Sequence, residues 1–249
     1  MSQATKGVAI VTGAAQGIGR AIALRLALDG FNVGVNDIIS QQDKLESLSA
    51  EIRALGREAC IVPADVSDEV SVEKMIKDVV SNLGGVDVMV SNAGICELSP
   101  IVNTTSQQWD KHQNVNLRGT FLCFKYAAIQ MIEQGRGGSI IGGSSLAGFS
   151  GIPMGSAYAA SKAGMRTLTH TAAREWGRNK ITVNSYAPGM FAAKFLLRLL
   201  LPDVSHYLLI ISTRQQKNVS AMGENGAPED IAGLVSFLAS KDARFITGN

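Results

Sequence analysis

Cysteine is scarce in this 249-residue chain, which has only Cys60, Cys96 and Cys123. No two of them take a C-x-x-C spacing and no even-numbered framework can be drawn. That argues against a disulfide scaffold or a zinc site, and for reduced thiols in an intracellular, cytoplasmic protein. Histidine is equally thin: His112, His170 and His206 form no spaced set with Asp or Glu, so no metal site is expected. An excess of one charge is also missing. Lys and Arg number 23 against 21 Asp and Glu, a formal balance of +2 that is too small and too evenly spread to suggest nucleic acid. No long uninterrupted apolar run is present either. The greasiest segment, 195–212, is broken by Arg198, Pro202, Asp203 and His206 and does not read as a membrane span. The opening MSQATKGVAIVTG leads directly into a strand pattern, without the basic region and apolar stretch of a signal peptide. No internal repeat or low-complexity linker is visible.

What remains is a chain 46% hydrophobic and 18% charged, suited to a packed globule, and long enough for one large α/β domain spanning 1–249. Short apolar strands at 7–12, 31–36, 59–63, 87–91, 139–143 and 181–186 alternate with stretches of helical spacing at 17–29, 41–55, 68–83, 107–133 and 157–177. This alternation predicts βαβ units on a doubly wound parallel sheet with helices on both faces. Buried parallel strands need no polar alternation, and these show little.

Two constellations carry chemistry. The segment TGAAQGIG, 12–19, puts Gly13, Gly17 and Gly19 between a strand and a helix, with Gln16 and Ile18 among them. Glycines there let the backbone turn tightly and approach a pyrophosphate, whose charge the helix N-terminus stabilises, so the turn predicts a Rossmann-like dinucleotide site. Asp37 stands eighteen residues beyond Gly19, at the end of FNVGVN, where a carboxylate can accept from ribose hydroxyls. It would repel a 2′-phosphate, and neither Gln16 nor Ile38 supplies a compensating cation, which favours NAD over NADP. In the second constellation Tyr158 and Lys162 stand four apart in AYAASKAG, on one helix face, with Ser145 thirteen residues before the tyrosine. A free phenol is a poor base near neutrality; a cation beside it favours the phenolate and draws its pKa toward the working range.

In order along the chain, TGAAQGIG, DVS at 65–67, NAG at 92–94, Asn116 in VNL, Ser145 in GSSLAG, YAASK and PG at 188–189 resemble the short-chain dehydrogenase/reductase family. The resemblance covers residues 6–192 and 226–249. It implies Tyr158 as catalytic acid/base and Ser145 as the hydrogen-bonding partner of the substrate oxygen. Lys162 would lower the tyrosine pKa and bind the nicotinamide ribose, and Asn116 would hold a water in a proton relay. Asp65 and Val66 would flank the adenine, Asn92, Ala93 and Gly94 would line the cofactor cleft, and Pro188 and Gly189 would lie against the nicotinamide. The resemblance further implies a homo-oligomer, dimer or tetramer. Segments such as AIALRLALDGFNVGV look similar to NAD-linked diacetyl (acetoin) reductases and 2,3-butanediol dehydrogenases, which implies a small alcohol or ketone substrate. The expected substrate-facing positions are Cys96, Glu97, Leu98, Ala147, Pro153, Met154 and the stretch after Gly189. Ser144 is expected to be structural.

Two departures from the family pattern stand out. Ala192 and Ala193 occupy the place of a threonine that touches the carboxamide, inside an atypical, leucine-rich lid segment at 190–225. The family's last strand is expected beyond Asn249, and its loss would expose a sheet edge. These departures motivate a competing reading, a catalytically weak or inactive NAD-binding protein that acts through its interaction surface.

Overall fold

The computed structural model describes residues 5–189 and 225–249. Of the lid expected at 190–225, residues 190–224, with Ala192, Ala193 and the apolar 195–212 stretch, lie outside the described residues.

The strand patterns become β1 (Val8–Val11), β2 (Asn32–Val35), β3 (Ala59–Ile61), β4 (Val88–Ser91), β5 (Gly138–Gly143) and β6 (Ile181–Tyr186). They form one parallel sheet in the order β3-β2-β1-β4-β5-β6. The helical patterns become α1 (Gly17–Asp29), α2 (Gln42–Ala54), α3 (Glu69–Leu83), α4 (Ser106–His112), α5 (Gly119–Gln134), α6 (Ser156–Trp176) and α7 (Pro228–Leu238). Alternate strand residues point to opposite faces. Ala9, Val11, Val33, Val35 and Val90 pack under Ile22 and Leu26 of α1, Leu48 of α2 and Val235 of α7. Val8, Ile10, Met89 and Ile140 pack under Met75 and Val79 of α3 and Leu122, Phe124 and Met131 of α5. Both faces are covered, which is why the strands read as continuous apolar runs rather than alternating ones.

The expected helix over 107–133 is divided in two. α4 starts at a capping box: Thr105 Oγ1 accepts from Gln108 N at 3.1 Å, and Gln108 Oε1 accepts from Thr105 N at 3.0 Å. Between α4 and α5 the chain widens into a π-helical turn, Gln113–Arg118, which contains Asn116. Such single wide turns gather at functional sites because they re-aim side chains that a regular helix would place elsewhere.

The exposed edge expected at β6 is partly covered. Gly248 N donates to Val183 O (2.8 Å), Ser185 N to Asn249 O (2.6 Å), and Val183 N to Thr247 Oγ1 (2.9 Å). The fully buried Asn184 donates to Ile246 O at 2.8 Å and accepts from Asn249 N at 3.3 Å. The four residues 246–249 thus serve the β6 edge, although no seventh strand is assigned among the described residues. Asn184→Ala should therefore lower stability by about 1–3 kcal/mol in urea unfolding, because it strips two partners from the tail. An unchanged midpoint would show that the tail adds nothing to the edge.

Candidate active site

In a doubly wound sheet, ligands bind beyond the carboxyl ends of the strands where the order reverses, which here is between β1 and β4. Both glycine and asparagine motifs stand at that point. Gly13 takes the left-handed conformation (φ 65°), and a Cβ on it would lie 2.9 Å from Ala93 Cα. A Cβ on Gly19 would drive into the Gly13 carbonyl oxygen and the Asn92 amide, so a side chain at either position would push the β1 and β4 loops apart. Asn92 stitches the strand ends together: its Nδ2 donates to Thr12 O (2.9 Å) and its Oδ1 accepts from Tyr186 Oη at the end of β6 (2.8 Å). Thr12 Oγ1 in turn accepts from the amides of Asn92 and Ala93 at 3.0 and 3.1 Å.

Asp37 ends β2 beside this loop. Its carboxylate accepts from Ala15 N at 3.2 Å and Ile38 N at 2.9 Å, so it is fixed against the glycine turn. Gln16 precedes α1 in extended conformation, and its Oε1 accepts from Lys44 Nζ at 3.1 Å. Lys44 Nζ also donates to Gln41 Oε1 at 2.6 Å. Lys44 is distant from the motif in sequence, and the short helical turn at Ile39–Gln41 returns it to the loop. Asp65 closes its own turn, accepting from Ser67 N and Oγ at 2.9 and 2.8 Å, while Val66 is buried against Gly119.

Ile18, Asn92, Gly94, Ile95, Cys96, Ser145, Tyr158, Lys162, Tyr186, Pro188 and Gly189 line one cleft of about 220 Å³. A Cβ on Gly94 would come within 3.1 Å of Asn116 Oδ1 and 3.3 Å of Lys162 Nζ, so a bare backbone wall runs past the lysine. The glycine wall, the carboxylate at the far corner and the cleft between them fit an extended dinucleotide. The structure brings Ser145, Tyr158 and Lys162 together. Lys162 is 4% exposed; its Nζ donates to Gly143 O at 2.7 Å and stands 5.7 Å from the centroid of the Tyr158 ring. Ser145 caps the turn at Leu146–Gly148, accepting from Ala147 N at 3.2 Å. Ser144 is structural, its amide donating to Tyr186 O and its hydroxyl to Lys162 O.

Burial pushes the Tyr158 phenol above its ordinary value, opposed by a hydrogen bond with Ser145. Burial also lowers Lys162, to about 8 from about 10.5, because a buried ammonium loses more hydration than its bond to the Gly143 carbonyl returns. Cys96 is pushed up by burial, with Lys162 opposing.

Asn116 is fully buried, and its side chain is spent on structure. It accepts from Ile95 N at 2.8 Å and donates to Ile95 O at 2.9 Å and Ser161 Oγ at 3.0 Å. Its backbone carbonyl accepts from Thr120 Oγ1 at 2.8 Å. Of the expected substrate-facing residues, Cys96 lines the cleft, whereas Glu97 turns to Lys111 Nζ at 2.6 Å. Leu98, Pro153 and Met154 are not part of the cleft lining, although Met154 takes the left-handed conformation (φ 64°) beside it. Ile95, Tyr186 and Ser161 were not foreseen. Tyr186 and Ser161 belong to otherwise ordinary strand and helix patterns, and only their packing against Asn92 and Asn116 brings them to the site.

This geometry agrees with what known proteins show. The profile of the family described as short chain dehydrogenase matches residues 7–199, and the chain belongs to that family. It is an oxidoreductase acting on CH–OH groups, of a family that binds nicotinamide cofactors. A relative from Hericium erinaceus, "Short-chain dehydrogenase/reductase eriH", is 62% identical over 245 residues, covering 98% of this chain and 94% of the relative. Among solved structures, an NAD+-bound xylitol dehydrogenase superposes with a TM-score of 0.90 at 31% identity, over 98% of this chain and 96% of that one. Acetoin dehydrogenase from Enterobacter cloacae superposes with a TM-score of 0.85 at 32% identity, over 99% of this chain and 93% of that one.

The lowered Lys162 value has a measurable sign. Below pH 8 the ammonium is charged in both native and unfolded states, and its burial costs stability. As pH rises from about 8 toward 10.5 the native state sheds the proton first and that cost falls. In urea unfolding the wild type should therefore gain stability relative to Lys162→Met across this window. Parallel curves for the two proteins would contradict a desolvated ammonium.

Proposed function

We propose that this protein is an NAD(H)-dependent oxidoreductase that interconverts a small secondary alcohol and its ketone, with an acetoin-, diacetyl- or 2,3-butanediol-like substrate. The observation that carries this reading is the convergence of Ser145, Tyr158 and Lys162 on the one cleft bordered by the glycine wall. The likeness to an acetoin dehydrogenase and to an NAD+-bound xylitol dehydrogenase supports the substrate class and the cofactor.

Bound in this cleft, NADH would supply the hydride for reduction of the carbonyl carbon. The carbonyl π pair moves to oxygen, which takes the Tyr158 proton. The raised phenol pKa keeps that proton available for donation. Ser145 hydrogen-bonds the same oxygen and stabilises its developing charge. Lys162, with a pKa of about 8, is able to return a proton to the phenolate near neutrality. Because the Asn116 side chain is committed to Ile95 and Ser161, its part in a relay falls to the backbone carbonyl. In oxidation each transfer runs in reverse.

In this reading Gly13, Gln16, Gly17, Ile18 and Gly19 border the pyrophosphate, Asp37 takes the ribose hydroxyls, and Asp65 and Val66 flank the adenine. Asn92, Ala93 and Gly94 lie along the middle of the cofactor, and Pro188 and Gly189 lie against the nicotinamide. The carboxylate at Asp37 favours NAD over NADP. The protein is proposed to be one domain, cytoplasmic and a homo-oligomer, up to a tetramer. Exposed apolar side chains on α5 (Phe121, Ile129, Ile132) and on α7 (Leu234, Phe237) support the assembly.

Tyr158→Phe should reduce NADH-dependent diacetyl turnover by roughly 10²–10⁴-fold while leaving NADH affinity, read by fluorescence, nearly unchanged. Equal loss of turnover and binding would contradict the assigned role. NADH binding by the wild type without turnover of diacetyl, acetoin or related ketones would instead favour the reading as a non-catalytic nucleotide-binding protein.

A further inference from the structure

His112 is buried, at 1% exposure, and no step described above uses it. Its Nε2 accepts from Glu97 N at 2.9 Å, and its Nδ1 faces Gln108 O at 2.7 Å. A carbonyl can only accept and an amide N–H can only donate, so both bonds are made by one form alone, the neutral ring with its proton on Nδ1. One helical turn further on, Asn116 holds both backbone groups of Ile95. His112 and Asn116 thus grip residues 97 and 95 from one helix face, four positions apart. The residue between the two grips is Cys96, which lines the cleft beside Tyr158 and Lys162. Lys111 adds an exposed ion pair to the Glu97 carboxylate at 2.6 Å. Being solvent-screened, that pair fixes the segment far less than a buried acceptor does.

We propose that His112 is a positioning residue for the carbonyl substrate: as the neutral Nδ1–H tautomer it pins Glu97 and so sets Cys96 as a wall of the substrate pocket. The inference deepens the proposed ketone reduction and rests on it. Asn116 secures the Ile95 end independently, so losing His112 loosens the Cys96 side while the glycine wall that borders the cofactor stays in place.

The test compares His112→Leu, which removes the acceptor, with His112→Gln, whose amide oxygen can replace Nε2. Three quantities are read in each: the KM and kcat for diacetyl reduction, NADH affinity by fluorescence, and the rate at which iodoacetamide alkylates Cys96, followed by peptide mass so that Cys60 is scored separately. His112→Leu should raise KM about tenfold, the effect of stranding one buried amide, with kcat and NADH affinity nearly unchanged and Cys96 alkylation several-fold faster. His112→Gln should restore both KM and the alkylation rate toward wild type. Alkylation needs no turnover. If wild-type protein reduces no diacetyl, the functional reading fails, yet faster alkylation in His112→Leu that is reversed in His112→Gln still upholds the clamp. The inference is overturned if neither KM nor Cys96 alkylation responds to His112→Leu, if kcat and NADH affinity fall as KM rises, or if His112→Gln behaves like His112→Leu.

Discussion

The constraint on which the rest of this site depends is a buried cation held, among the described residues, by one hydrogen bond. Lys162 is 4% exposed, and its Nζ donates to the Gly143 carbonyl at 2.7 Å. A lysine so desolvated is held there by its surroundings against its own preference for hydration. Those surroundings are the end of β5, the face of α6 and the Gly94 backbone, each of which must stop short to leave the ammonium room. The same burial that lowers Lys162 raises Tyr158 next to it. Two groups whose ordinary values lie close together are thereby separated, which suits one to give a proton and the other to replace it.

Around that centre, polar side chains hold the loops. Asn92 ties the end of β1 to the end of β6, and Asn116 ties the π-helical turn to Ile95 and to Ser161 on α6. Each bond is made between elements far apart in sequence, so the cleft forms only when the sheet is complete. Satisfied networks of this kind specify one arrangement, because an unpaired member in the same low-dielectric setting is costly. The cleft is therefore a product of the fold at the strand ends rather than of any single loop.

Much of this was legible in the sequence, and for physical reasons. Strands buried on both faces announce themselves as apolar runs, and Tyr158 and Lys162 share a helix face because four residues make about one turn. Gly13 and Gly19 could be read because few other residues survive a backbone contact that close. What stayed hidden depended on contacts between distant segments. The helix over 107–133 showed no sign of its π-helical turn, whose Asn116 side chain bonds Ile95. The edge of β6 was expected to be exposed, whereas residues 246–249 bond to it through backbone groups and through the side chains of Asn184 and Thr247. The burial of Tyr158, which pushes its phenol up, could not be read from the spacing, because spacing reports a nearby cation and says nothing about burial.

The most direct test of the account is a crystal structure of the protein with NADH bound. The account predicts the adenosine ribose hydroxyls within hydrogen-bond reach of Asp37, the pyrophosphate against Gly13–Gly19, and the nicotinamide ring between Pro188 and the Tyr158–Lys162 pair, with its ribose near the Lys162 ammonium. Dinucleotide bound elsewhere, or bound in this cleft with the nicotinamide ring turned away from Tyr158, would contradict it.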